Sequence, residues 1–204
     1  MQNLIRGGLI LLVVLTGYFI FESFVNLIYA QTQVTVTATV PTSVTCALST
    51  TTTAFGTINP SAVYTSSPNV TTTVSCNPSA GCQVQVRDEG NGTNGGLYNS
   101  AVNYLIPSPA AGFPATATLV AGTEGYGIQA TTTSAGSGGT LTLNTIYNQT
   151  GNTVGRLTTS TTILASSSQP VANREVVVTH KAAVSGLTPA GNYQDTITYT
   201  CTSN

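Results

Sequence analysis

Charge is what this chain has least of. Asp, Glu, Lys and Arg make up 5% of its 204 residues, and the formal net charge is -1. Five cations spread over the whole length make no basic patch, which excludes nucleic-acid binding. Tryptophan is absent and there is a single histidine, His180. Metal-site spacings are missing too: the four cysteines include no C-x2-C pair, so no zinc site and no other metal site is expected. No G-x-S-x-G elbow accompanies His180, which is expected at a surface or strand edge. Gly125 to Ala130 matches the G-x-G-x-x-A string of dinucleotide sites, but no helix pattern follows it. Lys181 is the only lysine; an isopeptide bond from it would need a buried acid such as Glu175 or Asp195 beside it. No cofactor is called for, and an enzyme is not expected.

In place of charge the chain has Thr, Ser, Gly and Asn, a composition suited to strands and turns. Residues 1–30 open with Arg6, run apolar from Leu9 to Phe21, and end on Ala30, the layout of an N-terminal signal helix with cleavage after Ala30. The membrane is then met only by the precursor. Residues 8–30 are also long enough to span a bilayer, and Arg6-Gly7 resembles the prepilin-type site of archaeal type IV pilins, whose apolar helix is retained.

Gln31 to Val40 alternates strictly: Val34, Val36, Ala38 and Val40 share one face and Thr35, Thr37 and Thr39 the other. Pro41 breaks any continuation of that strand. The expected organisation is therefore a signal peptide (1–30), an N-terminal extended strand (31–41) and one all-β domain (42–204). Within the last, 43–49, 69–76, 81–88, 115–120, 125–131, 140–146, 158–165, 175–184 and 193–202 read as strands between Gly-rich and Asn-rich turns, the pattern of a β-sandwich. In the final stretch Tyr193, Ile197 and Tyr199 share a face with Cys201, and no later segment covers its edge.

An uncovered edge is an aggregation hazard, and a strand from another chain can add to it. A surplus apolar strand at one end and an open edge at the other predict that Val34, Val36, Ala38 and Val40 of one copy insert beside Tyr193, Ile197 and Tyr199 of the next. Head-to-tail repetition of that contact gives a homopolymeric filament. The alternative is that Gln31 to Val40 is the first strand of its own sandwich, because alternation does not choose the partner.

Four cysteines in an exported chain imply two disulfides with three possible connectivities, of which Cys46–Cys76 with Cys82–Cys201 is expected. Asn69, Asn91 and Asn148 each head an N-x-T triplet and are candidate carriers of N-linked glycans.

TATVPTSVTCALS near the start, AFGTINP from Ala54 and AGNYQDTITYT from Ala190 resemble the pilins of the archaic chaperone-usher and spore-coat-U families. With the sequons and the scarcity of charge, the chain is more similar to the glycosylated thread filaments of Sulfolobales archaea. That resemblance implies an immunoglobulin-like, pilin-type sandwich with an N-terminal donor strand, working outside the cell in adhesion, cell-to-cell contact or biofilms. The competing expectations are a type IV pilin and a monomeric carbohydrate-binding adhesin.

Overall fold

A computed structural model describes residues 31–108 and 116–204. The expected signal helix and the cleavage after Ala30 lie outside these residues. Pro41–Asn204 form one compact unit, described first. Its strands in chain order are β1 (Val44–Leu48), β2 (Tyr64–Thr65), β3 (Val70–Cys76), β4 (Cys82–Asp88), β5 (Gly96–Asn99), β6 (Tyr104–Pro107), β7 (Thr116–Thr118), β8 (Gly125–Thr132), β9 (Ser137–Gly138), β10 (Thr142–Leu143), β11 (Thr153–Gly155), β12 (Thr162–Ser167), β13 (Val171–Ala183) and β14 (Ile197–Ser203). All the pairings are antiparallel.

Two sheets face each other. The first runs β1-β3-β13-β8-β11-β7, with β2 and β9 also paired to β13; the second runs β10-β12-β4-β14. A hairpin of β5 and β6 stands beside them. The core between the sheets takes Val74, Ile128, Val176 and Val178 from the first and Val84, Val86 and Leu164 from the second, each essentially inaccessible to water. Period-2 alternation builds it: Cys82, Val84, Val86 and Asp88 all turn inward from β4, and Gln83, Gln85 and Arg87 turn outward. The described residues are thus all-β and sandwich-like, as their alternation predicts.

The long β13 replaces the shorter strand expected at 175–184, and its inward row is Val176, Val178, His180 and Ala182. His180 is therefore not a surface or edge residue. It is buried at 3% exposure, with Ser66 Oγ 3.4 Å from its Nδ1. Burial lowers its pKa to about 4, so the ring is neutral.

The disulfides differ from the expected pair. Cys46 bonds Cys201, and Cys76 bonds Cys82; neither Cys46–Cys76 nor Cys82–Cys201 forms. Strand register is the reason. Cys46 and Cys76 do lie on neighbouring strands, but β1 pairs with β3 so that Val44 faces Cys76 and Cys46 faces Val74. Cys201 likewise faces Val84, while Cys82 faces Ser203. Each expected pair is offset by two residues, a diagonal of about 7–8 Å that exceeds the Cα separation a disulfide tolerates. Cys46 instead reaches across to the other sheet. Because that bond joins residues 155 apart in sequence, its constraint on the unfolded chain is worth about 5 kcal/mol, against about 2 kcal/mol for the six-residue separation of Cys76 and Cys82.

Gly81 sits inside that short loop at φ 79°, where a Cβ would lie 2.0 Å from the Ser167 carbonyl oxygen. Only glycine fits this turn.

Candidate functional site: an open edge shared by two sheets

β1 and β14 are the outermost strands of their sheets on the same side of the sandwich, joined by Cys46–Cys201. Neither has a partner on its outer side among the described residues. Hydrogen bonds show which backbone groups are left over. Glu89 N–H donates to the Thr196 carbonyl and Asn204 N–H to that of Gly81, so the even-numbered residues of β14 turn their amides and carbonyls toward β4. Ile197, Tyr199, Cys201 and Ser203 then turn theirs to the open side. In β1, Asn77 N–H donates to the Ser43 carbonyl and Ser49 N–H to that of Thr71, which leaves Val44, Cys46 and Leu48 facing outward by the same alternation.

The side chains along this edge are apolar and incompletely covered. Tyr193, Ile197, Tyr199 and Cys201 on one wall, and Val44, Phe55 and Ile58 on the other, pack against the core but remain half-buried. Leu48 is 40% exposed. Phe55 is held by an edge-to-face contact with Tyr126 of β8, ring centroids 6.2 Å apart, and the wall behind it continues through the Ala54–Ser67 bridge. The structure thus brings Ile197 and Tyr199 together on the free edge of β14. Tyr193 lies before β14, where its hydroxyl donates to the Pro189 carbonyl at 2.8 Å. Two residues earlier, Gly191 at φ 149° lets the chain pass Asn99; a Cβ there would lie 2.3 Å from Asn99 Nδ2.

Residues 31–40 belong to the other unit of the chain. They form no strand, and every one of them is exposed. Val34, Val36 and Val40 are 86%, 87% and 81% exposed, a row of β-branched apolar side chains in contact with water.

Beneath the open edge lies a pair of carboxyl groups. Asp88, the last inward residue of β4, is fully buried and accepts a hydrogen bond from Gly96 N–H at 3.0 Å. Asp195 accepts from Gly90 N–H at 3.1 Å and from the Tyr126 hydroxyl at 3.2 Å. Burial first, then the hydrogen bond and charge of Asp195, raise Asp88 to about 9. Asp88 is therefore protonated, and its Oδ1, which meets no N–H or O–H donor, is the oxygen free to share that proton with Asp195. Among the described residues no group of three or more His, Cys, Asp or Glu could hold a metal ion.

The sequon asparagines Asn69, Asn91 and Asn148 are all exposed, the first just before β3, the second in the β4–β5 turn, the third in the turn after β10. Asn91 Oδ1 accepts from Thr93 N–H and Asn94 N–H, an Asx turn that leaves its amide nitrogen outside those bonds. Lys181 Nζ donates to Thr65 Oγ1 at 3.1 Å and lies 3.4 Å from Asn152 Oδ1. Glu175 accepts from Thr133 and Asp195 from Tyr126, so neither acid is among its hydrogen-bond partners. Gly125 to Ala130 opens β8, paired along its length with β13 and at Ile128 with Gly155 of β11, rather than forming a phosphate-binding turn.

Alternation does not mark Leu48, Phe55 and Ile58 as one wall of the edge: Leu48 ends β1, and nothing local shows that the loop carrying Phe55 and Ile58 continues its sheet. Sequence reading also missed the Asp88–Asp195 pair, although Asp88 occupies the inward position of its strand. No family model matches the chain, and no curated protein or solved structure is similar enough to match it.

Proposed function

We propose that the chain is the structural subunit of an extracellular filament, polymerising head to tail as residues 31–40 of one copy add to the open edge of the next. The observation that carries this reading is a mismatch of coverage. The chain has an alternating apolar segment exposed along its whole length, and a sheet edge with free backbone groups above half-buried Ile197 and Tyr199. Pairing the two between copies buries both. The contact is heterologous, so its repetition extends a fibre instead of closing a dimer.

Other features agree. Two disulfides suit an oxidising, extracellular setting. Exposed sequons at Asn69, Asn91 and Asn148 leave room for N-linked glycans on the finished fibre. The resemblance to thread and chaperone-usher pilins fits an immunoglobulin-like sandwich that lacks one strand, and a role in adhesion or biofilms. A synthetic peptide of residues 31–40, present in excess during assembly, caps free edges and shortens the filaments, whereas a scrambled peptide leaves their length unchanged. Equal lengths with both peptides would refute the donor role.

A further inference from the structure

We propose that the Cys46–Cys201 disulfide is the stop that sets how far a donated strand enters the open edge, and hence the register in which successive subunits join. This rests on the donor-strand reading above and assigns the bridge a role within it. A strand inserted between two flanking strands holds them about 9.6 Å apart, twice the spacing of neighbours in a sheet. At the bridge the Cα atoms of β1 and β14 are 5.7 Å apart. No backbone passes there.

The bridge divides the edge unequally. On one side are only Val44 of β1 and Ser203 of β14, beside the anchor where Asn77 Nδ2 donates to the Pro41 carbonyl. On the other are Tyr199, Ile197, Asp195 and Tyr193, with Leu48, Phe55 and Ile58 opposite. Positions 193–199 are seven residues, about 23 Å of extended chain. Val34 to Val40 is also seven residues, with four side chains on its apolar face to set against the four inward positions 193, 195, 197 and 199. A donor of that length fills the edge up to the bridge and no farther. The bond is covalent and spans two sheets, so the stop cannot yield as a packed side chain would.

Residue-resolved amide hydrogen exchange on wild-type filaments tests this, with the non-assembling Val34→Asp/Val36→Asp full chain as reference. The amides of Ile197, Tyr199, Val44 and Ser203 all face the open side. Assembly is expected to slow exchange at Ile197 and Tyr199 by about 100-fold or more and to leave Val44 and Ser203 unchanged. Slowing that extends to Val44 or Ser203 would overturn the stop while keeping the donor reading. No slowing at any of the four would overturn the donor reading itself.

Discussion

Replacing Val34 and Val36 with aspartate is expected to abolish filaments while leaving residues 41–204 folded. Both valines are exposed in the single chain, so the subunit does not depend on them. Under the proposed donor-strand contact each becomes buried, and together they would contribute about 3–6 kcal/mol of apolar transfer. Their removal alone weakens each junction by at least about 100-fold, and the substitution also forces two carboxylates toward a half-buried apolar wall, which multiplies the loss. A fibre built from identical junctions loses length at every one. The control is Thr35→Asp/Thr37→Asp, which changes the alternate positions of the same segment and is expected to assemble. Negative-stain images and sedimentation of the two double variants read the difference; filaments from the valine variant at wild-type length would contradict the account.

Stability is expected to stay level between pH 4 and 6.5 and then to fall by about 3 kcal/mol up to pH 9. Asp88 is raised to about 9 in the folded chain, and an unfolded aspartate titrates near 3.9. The folded state therefore holds one more proton across that interval, and stability declines as pH rises, by up to about 1.4 kcal/mol per unit. His180 has the opposite sign. Lowered to about 4 against roughly 6.5 unfolded, it makes the unfolded state the better proton binder between those values, so its contribution grows with pH. The two slopes cancel from 4 to 6.5, and Asp88 acts alone above. Tyr126, Tyr147 and Tyr199, beside the pair, are all raised by burial and stay protonated throughout. Asp88→Asn keeps a neutral donor for Asp195 and is expected to remove the alkaline decline. Urea midpoints of the non-assembling chain across this range check it; a level profile from 6.5 to 9 in the native sequence would rule out a protonated Asp88.

Much of the sheet structure was legible because alternation is a local signal. The run GCQVQVRD declares β4 and both its faces, and the stretch 193–202 declares β14 as a strand with an apolar side, beginning four residues earlier than the strand does. What alternation does not encode is register. A two-residue offset separates Cys46 from Cys76 and Cys201 from Cys82, and this rules out the expected pairing. His180 shows a different gap. Its polar side chain suggested a surface, but the strand's parity put it between Val178 and Ala182 on the inward face, where burial strips its charge. Phe55 and Ile58 sit in a stretch without alternation, and their role as a wall depends on the Ala54–Ser67 bridge and on the contact of Phe55 with Tyr126 of the distant β8.

The central claim is that the apolar strand of one copy lies on the edge of another. Filaments assembled from an equal mixture of uniformly 13C-labelled and uniformly 15N-labelled subunits test it by solid-state NMR. The account predicts 15N–13C contacts between residues 34–40 and residues 197–199 that can arise only between subunits of different label. If those residues meet only within a single labelled chain, or not at all, the strand belongs to its own fold and the filament is held together some other way.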